Sequence, residues 1–515
     1  MSSSPRSLIA KTSAVSAATL GSRLLGFARD MGTAAVLGAG PLADALMASL
    51  SLPLLARRLL AEGAFNAALL PALAAAPDDE RAAASANATL VLLCMILLGF
   101  AVVGALAMPI LMLVLAPGFS FDGERADLAS ACGRIALFYL PLAGAAAVLG
   151  GIANAAHRVF LPALAPALGN AVVLFAIAAI ILEGLVATPT AALVMAACAV
   201  LAGIAQLALM IAAARKAPAS IRISAGFDWP AARAVLRASR PALLLAGLPQ
   251  MRIVLLAVVV SAHPGAVAAL NYAQRLIDLP LGLVGASAGA ILVPLLTTGA
   301  GGTGRGVETA RAVLSALGFA LPAATGLIML ADPIITVLYQ RGSFTAENAH
   351  FTAFLLTALA FTLPAQGLEK VLGAAAMSHG FGRQVEGIAL VSLLNTMAFA
   401  VGFGIGFGPG GGAFGIAIPA CVSVARLWIL LSSRGHLVFD RAAKRQVLGM
   451  VLGCFLLAVV VLFLLVIWIE PEGTFLLAVR LGVLVAAGMA TYGAVWFAFR
   501  PRNRPRAEAI DPGHT

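Results

Sequence analysis

The side chains best suited to chemistry in this sequence are charged residues that lie inside otherwise apolar segments. A guanidinium group stays charged in apolar surroundings and binds phosphate or carboxylate oxygens two at a time. Placing such a charge at the centre of a bilayer costs about 2.5–3.5 kcal/mol on insertion scales, so it generally faces a partner or a water-filled cavity. The residues are Arg23, Arg29 and Asp30 in the first apolar segment, Asp44, Arg57, Arg58 and Glu62 in the second, and Arg252, Arg275 and Asp278 later in the chain.

The balance of these charges favours an anionic ligand. Four arginines stand against two acids: Arg23, Arg29, Arg57 and Arg275 against Asp30 and Asp44. The surplus suits an anion such as a pyrophosphate, which a planar guanidinium binds bidentately. Two other interpretations stay open. The arginines snorkel to the membrane interfaces, or Arg58 forms a local i,i+4 ion pair with Glu62.

The composition identifies the elements that must position these charges as membrane-spanning helices. Of the 515 residues, 61% are hydrophobic and only 11% are charged. A soluble domain is about half apolar and a quarter charged, whereas an apolar run of about 20 residues spans the hydrocarbon core. The chain is therefore expected to be an all-α polytopic membrane protein.

Turn-rich breaks such as GAGP, AHPG and GPGGG divide the chain into fourteen predicted spans. They cover residues 8–37, 41–75, 83–116, 126–156, 161–183, 189–214, 241–262, 265–299, 307–340, 346–378, 383–407, 411–433, 445–469 and 474–499. With a cytoplasmic N-terminus, the loop lysines and arginines cluster on the cytoplasmic side, and only Arg125 and Arg341 fall in external loops. This bias agrees with the positive-inside rule and places both termini in the cytoplasm.

An internal repeat relates the first six spans to the next six. The segment ALFYLP, ending at Pro141, recurs as LAFTLP, ending at Pro364, and VLG follows each at 148–150 and 371–373. Two units of six spans have the same orientation, an arrangement found in transporters that alternate access around a midplane site. The sequence thus predicts two pseudo-symmetric six-helix lobes plus two C-terminal helices.

The repeat also predicts the domain boundaries. Residues 217–240 are less apolar and are expected to form an amphipathic cytoplasmic helix with Trp229 as an interfacial anchor. This linker separates an N-lobe, 1–216, from a C-lobe, 241–436. Spans 13 and 14 occupy 437–500, and a cytoplasmic tail occupies 501–515.

Several function classes are disfavoured. The five cysteines lie in apolar runs without a CxxC pair, which argues against a metal site or a disulfide framework. The net charge of +11 sits in short loops and is not interleaved with aromatic residues as in nucleic-acid binding proteins. The loops are too short for a catalytic domain, and no nucleophile–base constellation is visible, so neither an enzyme nor a cofactor is expected.

Several segments resemble the MurJ/MviN family, the lipid II flippases of the MOP transporter superfamily. They are SRLLGFARD (22–30), LADALMASLSLPLLARRLLAEGAFNAALLP (42–71), LAPGF (115–119), NAAHRVFLPALAPALGN (154–170), YAQRLIDLPLGLVGASAGAILVP (272–294) and YQRGSFTAENA (339–349). The combination of the first two segments is specific, and the resemblance covers about the first 350 residues well.

The resemblance implies two lobes arranged in a V, with a groove toward the cavity formed by the last two helices. By motif position, the essential cavity cations fall on Arg23, Arg29, Arg57 and Arg275, and the cavity acid on Asp44. These residues are expected to bind the pyrophosphate and the sugar–peptide headgroup of lipid II, with the lipid tail along spans 13 and 14. A monomer in the bacterial inner membrane, in contact with membrane lipids, is expected.

The chain departs from the family pattern in two places. Gln274-Arg275 stands where the family usually has Asp-Arg, so an ion pair within that motif is lost. Lys370 begins KVLGAAAMSHGFGRQVE, which lacks the Pro-Gly, the aspartate and the Lys-Thr-Pro of the family segment. Ion coupling through this segment is therefore in doubt.

The mechanism expected is alternating access, in which the inside-negative potential favours outward movement of the anion. Alternatives remain. They are a flippase for another polyprenyl-pyrophosphate-linked glycan, a cation-coupled drug exporter, a membrane enzyme acting on lipid-linked sugars and a scaffold in division. A drug exporter is expected to show acids without surplus arginines, the opposite of the balance seen here.

Overall fold

A computed structural model of the chain describes residues 5–61, 65–215, 226–297, 303–439, 441–469, 471 and 473–499. Within these ranges the fold is all-α, as predicted, and contains no strand. Glu62, residues 216–225 at the start of the linker and the tail 501–515 lie outside the described residues.

The helices of the first half follow the predicted spans closely. They are α1 (Pro5–Leu37), α2 (Pro41–Ala61), α3 (Asn66–Ala74), α4 (Asp79–Leu106), α5 (Met108–Leu115), α6 (Gly123–Ala136), α7 (Tyr139–Ala155), α8 (Phe160–Leu182) and α9 (Pro189–Ala214), with a 3-10 helix at Pro117–Phe121. Spans 3 and 4 are each built from two helices with a short break, and in span 2 the helices α2 and α3 lie on either side of residues 62–64, which are outside the described ranges.

The second half repeats this pattern and adds a terminal pair. Its helices are α10 (Trp229–Val260), α11 (Ala266–Thr297), α12 (Thr303–Met329), α13 (Ala331–Tyr339), α14 (Ala346–Ala360), α15 (Leu363–Ser378), α16 (Gly382–Gly415), α17 (Ala417–Ser432), α18 (Arg441–Ile467) and α19 (Thr474–Phe499). Gly408, with φ 69° and ψ −163°, breaks α16 at the predicted GPGGG boundary, because only glycine adopts that conformation readily.

The positions of the breaks confirm the internal repeat. Leu106 and Met108 flank the break in the third span, and Met329 and Ala331 flank the break in the ninth, a shift of 223 residues in both cases. The fourth and tenth spans break near the repeated LP dipeptides, where a proline lies at the start of α7 and of α15. The two halves therefore share their irregularities as well as their helices.

The fourteen predicted spans are consistent with the helix lengths. Nine helices in the described part are long and apolar enough to cross a membrane, or ten if the bent pair α14 and α15 is one span. One of the nine, Gly382–Ser432, covers two predicted spans. The helices α1, α2 and α11 are not among the nine, and they carry the in-span charges Arg29, Arg57 and Arg275.

The boundary expected at residue 240 differs from the observed helix. Helix α10 runs without a break from Trp229 to Val260, so the end of the linker and span 7 form one element. Its first turns are amphipathic: Ala232 and Val235 are buried, whereas Arg233 and Arg237 are exposed. The helix continues because this apolar face packs on α4 before the chain reaches the predicted span.

The two halves meet in an apolar core at the end where α1 passes into α2. Tyr272, Tyr339 and Phe344 pack there in tilted and edge-to-face contacts, with ring centroids 5.3–5.9 Å apart. The amide of Ser343 donates to the carbonyl of Ala35 at 2.9 Å, which joins the second half to α1. Helices α18 and α19 pack on each other and on α12 outside this core.

A fully buried ion pair holds the C-lobe together. Arg252 on α10 donates to both carboxylate oxygens of Glu369 on α15, at 2.7 and 2.9 Å, and to the hydroxyl of Ser392 on α16 at 2.6 Å. The side chains of Arg252 and Glu369 are 1% and 3% exposed. The pair joins three helices of one lobe.

Removing one member of this pair is expected to destabilise the protein strongly. Arg252→Met leaves the Glu369 carboxylate buried without a partner, which costs about 3–5 kcal/mol. The double variant Arg252→Met/Glu369→Leu removes both charges, and we expect it to recover most of that loss. The stabilities of the wild type, the single variant and the double variant are compared by their apparent unfolding temperatures in detergent.

The control is Arg311→Met, which changes an arginine whose side chain is 64% exposed. A single variant as stable as the wild type, or a double variant no more stable than the single one, would contradict a structural role for the pair.

Candidate functional site

Two adjoining cavities lie between the lobes, and the charged residues of α1, α2 and α11 line both. The first, called here the amide chamber, has a volume of about 1170 Å³, and the second, the arginine cavity, has a volume of about 1250 Å³. Residues that line both are Arg57, Arg58, Asn170, Arg275 and Asp278. The shared wall is therefore polar and mostly cationic.

One carboxylate joins two arginines across the lobe interface. Asp30 accepts from the Nη2 of Arg29 at 2.6 Å, and its other oxygen accepts from Arg275 on α11. Arg29 also donates to the side-chain oxygen of Asn170 on α8 at 3.0 Å. The side chains of Arg29 and Arg275 remain 18% and 27% exposed. The carboxylate thus holds both guanidinium groups at the edge of the cavity without burying them.

A second ion pair crosses the interface beside the first. Arg58 on α2 donates to Asp278 on α11, and the amide of Gln274 donates to the same carboxylate at 2.8 Å. The local pair between Arg58 and Glu62 is not tested, because Glu62 lies outside the described residues. The observed partner of Arg58 comes from the opposite lobe, 220 residues further along the chain.

The arginine cavity carries a large excess of positive charge. Its lining includes five cations and one carboxylate: Arg23, Arg57, Arg58, Arg275, Lys370 and Asp278. Arg23 is exposed, and Lys370 reaches the cavity from α15. The sequence analysis did not predict Lys370 as a site residue and treats it only as the start of an atypical segment. Lys370 is nevertheless a cation inside a predicted span, and this position indicates a place in the cavity wall. The structure thus brings Arg23, Arg57, Arg58 and Arg275 together, with Arg29 and Asp30 in the adjoining chamber.

Asp44 lies elsewhere. It is fully buried, lines neither cavity, and accepts from the backbone amides of Gly265 and Ala268 at 2.7 and 2.8 Å. These amides stand at the N-terminus of α11, where the helix dipole favours a negative charge. Arg125 donates to the same carboxylate at 3.3 Å. Arg125, which was predicted in an external loop, is itself 3% exposed at the start of α6.

The contacts around Asp44 close the lobes against each other at this end. The amide of Gly118 donates to the hydroxyl of Ser261 at 2.9 Å, and the hydroxyl of Tyr272 donates to the carbonyl of Gly38 at 3.1 Å. A side chain on Gly118 would collide with the backbone of Ser261 and Ala262, so the close approach requires glycine.

Comparisons with known proteins agree with this architecture. A family model described as lipid II flippase MurJ matches residues 33–481. A protein from Rhizobium tropici described as a probable lipid II flippase MurJ is 34% identical over 505 residues, which is 95% of this chain and 94% of that protein.

Two solved structures share the fold. A lipid II flippase MurJ in an inward closed conformation superposes with a TM-score of 0.75 at 20% identity, over 94% of this chain and 98% of that one. An inward-facing multidrug resistance MATE family transporter of the MOP superfamily gives a TM-score of 0.64 at 17% identity, over 80% of this chain and 94% of that one. At these identities the likeness concerns the fold alone.

Neutralising Asp44 is expected to loosen the closed end. In Asp44→Asn the charge that faces the α11 amides and Arg125 is lost, and Arg125 remains buried without its full counter-charge. Opening of this end is measured with Ala268→Cys, in a variant that lacks the native cysteines. Ala268 is fully buried in the closed state. We expect its labelling by a membrane-impermeant maleimide to rise several-fold.

The matched control is Asp122→Asn. Asp122 also lies beside Arg125, at 3.6 Å, but its side chain is 39% exposed. Equal labelling in the two variants would refute a specific role for Asp44 in closing this end.

Proposed function

The chain belongs to the MurJ family of lipid II flippases, and we propose that it carries lipid II across the bacterial inner membrane by alternating access around the arginine cavity. As a member of this family it is a multi-pass membrane transporter and not an enzyme. The proposal assigns the pyrophosphate of lipid II to Arg23, Arg29, Arg57 and Arg275, with Arg58 and Lys370 beside them.

One observation carries this assignment. Five cations and a single carboxylate line one cavity at the interface between two lobes. In a low-dielectric interior such an excess is costly unless water or an anion compensates it. A pyrophosphate supplies several oxygens that accept bidentate hydrogen bonds from guanidinium groups. The cavity therefore suits the charged part of a lipid-linked diphosphate.

The interlobe carboxylates position the guanidinium groups of these arginines for the ligand. Asp30 holds Arg29 and Arg275 in place, and Asp278 holds Arg58. Because both pairs are partly exposed, an entering pyrophosphate competes with the carboxylates for the same guanidinium groups. Binding then exchanges an interlobe ion pair for a ligand contact and weakens the connection between the lobes at the cavity.

Alternating access requires the opposite ends to open in turn. With the end around Asp44 closed, the headgroup enters from the cytoplasmic side and the lobes then rock to expose it outward. The undecaprenyl tail stays in the lipid along α18 and α19. The proposed domains are an N-lobe at 1–216, a linker at 217–240, a C-lobe at 241–436 and a terminal helix pair at 437–500. Both termini are proposed to lie in the cytoplasm. The protein is proposed to be a monomer.

The membrane potential is proposed to drive the cycle. Each buried or half-buried acid that the structure describes at the interface or in the lobe cores has an arginine partner: Asp30, Asp44, Asp278 and Glu369. The movable charges are then the surplus cations and the substrate phosphates. Moving one charge through the full field is worth about 2.3 kcal/mol per 100 mV, and an inside-negative potential favours both the outward path of the anion and the inward return of the empty cationic site.

Loss of a cavity arginine is expected to slow transport strongly. Cells depleted of their native lipid II flippase and given this chain should expose lipid II on the periplasmic face, whereas Arg29→Ala or Arg57→Ala should reduce exposure about tenfold or more. Losing a charged hydrogen bond of about 1.5–3 kcal/mol accounts for that magnitude. Protein levels are matched by immunoblotting.

Arg311→Ala, an exposed arginine on α12 that lines neither cavity, is the control. A well-expressed wild type that leaves lipid II in the cytoplasmic leaflet would indicate another polyprenyl-pyrophosphate-linked glycan as the substrate. Variants as active as the wild type would show that the arginines are structural.

Collapse of the membrane potential is expected to stop transport while collapse of the pH gradient alone is not. Valinomycin with external potassium removes the electrical term, and nigericin removes the proton gradient as the matched control. Periplasmic exposure of lipid II over time is the readout. Transport that is indifferent to valinomycin, or equally sensitive to nigericin, would refute a potential-driven cycle.

A further inference from the structure

Beyond the arginines, the walls of the amide chamber carry neutral hydrogen-bonding groups from both lobes. They include Thr33 on α1, Tyr139 on α7, Asn170 on α8, Gln206 on α9, Gln250 on α10, and Asn271 and Gln274 on α11. The arginine cavity next to it is lined mainly by cations. Charged side chains line both spaces, and the amide chamber adds a set of neutral amide and phenol groups to them.

Two of these amides are buried with hydrogen-bonding atoms left unused. Gln250 is 6% exposed, and its side-chain amide makes no hydrogen bond within the described part of the chain. Gln274 is 3% exposed; its nitrogen donates to Asp278, and its oxygen accepts no hydrogen bond within the described part of the chain. Leaving a buried polar group unpaired is costly, so such groups are rare and call for a partner. Both residues line the chamber, and the amide of Gln250 is open to it, so a ligand there can supply a partner.

The covalent structure of the substrate determines which of its groups reaches the chamber. This step rests on the proposed function. In lipid II the first sugar is joined directly to the pyrophosphate, and Arg57 and Arg275, which line both spaces, fix the pyrophosphate at their shared wall. The lipid tail leaves on one side, so the sugar continues on the other. Its hydroxyl and acetamide groups are neutral donors and acceptors, which match amide side chains.

We propose that the amide chamber is a saccharide subsite in which Gln250 and Gln274 hydrogen-bond the sugar next to the pyrophosphate. A site built to hydrogen-bond a ligand discriminates against an analogue that lacks the matching groups, because its own polar atoms then stay unpaired. The protein therefore distinguishes a glycan-bearing lipid from a bare polyprenyl pyrophosphate.

The atypical residue at position 274 fits this role. The chain resembles a family that usually has an aspartate there, and Gln274 replaces it with an uncharged group that both donates and accepts. An aspartate beside Asp278 would add a second negative charge close to the phosphates. The amide keeps this wall neutral, so it contacts a sugar without repelling the pyrophosphate beside it.

The test compares two ligands on one variant. Binding of lipid II and of undecaprenyl pyrophosphate is measured on the full chain in nanodiscs of one lipid composition, for the wild type and Gln250→Leu. We expect the Kd for lipid II to rise about tenfold and the Kd for undecaprenyl pyrophosphate to stay unchanged. Gln366→Leu is the matched control, because Gln366 is an equally buried amide that lines neither cavity.

A second variant, which keeps Gln250, distinguishes loss of the subsite from a folding defect of the first variant. Ala199→Phe places a ring in the chamber from α9, and it too should weaken lipid II binding and spare the bare pyrophosphate. Equal weakening of both ligands, or of neither, in the two variants would overturn the saccharide subsite. A wild type that binds neither ligand would instead overturn the proposed function, which Arg29→Ala tests separately by weakening both.

Discussion

An arginine inside a membrane keeps its charge, so every guanidinium group between these helices must be matched by a carboxylate, by carbonyl groups or by water. Much of the architecture follows from how that requirement is met. Arg252 is neutralised by Glu369 within the C-lobe, and Arg480 donates to the carbonyls of Leu465 and Trp468 at the end of α18. These contacts are buried and hold helices together. The arginines at the lobe interface are matched only in part, and the remaining charge defines the cavity.

The degree of burial separates two kinds of ion pair. Arg252–Glu369 and Arg125–Asp44 have side chains at most 3% exposed, whereas the members of the Arg58–Asp278 and Arg275–Asp30 pairs are 12–27% exposed. A pair shielded from water costs a great deal to break because each partner would be left uncompensated. A pair at the edge of a cavity exchanges partners with a polyanion at lower cost. The buried ion pairs therefore suit contacts that persist or that break slowly. The partly exposed ion pairs suit a site that binds and releases a ligand.

The two departures from the family pattern both lie beside cations of the cavity wall. Replacing an acid by Gln274 does not leave Arg275 without a counter-ion, because Asp30 on α1 pairs with it from the other lobe. The amide instead donates to Asp278, and its oxygen is buried without a hydrogen-bond partner in the described part of the chain. The atypical segment that begins at Lys370 keeps its cation at the cavity wall. In both places the cation keeps its position at the cavity wall while the groups around it change.

The amino-acid sequence alone determined the fold class, the internal repeat and the identity of the in-span arginines, because composition, spacing and local breaks are visible along the chain. Only the tertiary structure decided which charges meet. Asp30 and Arg275 are 245 residues apart, and Arg58 finds Asp278 across 220 residues, whereas sequence spacing indicates only neighbours one helical turn away. For the same reason Asp44, assigned to the cavity by motif position, lies at the closed end with Arg125, and Gln250 was not recognised as part of the site. Which helix faces meet depends on packing between the lobes, and no local pattern encodes it.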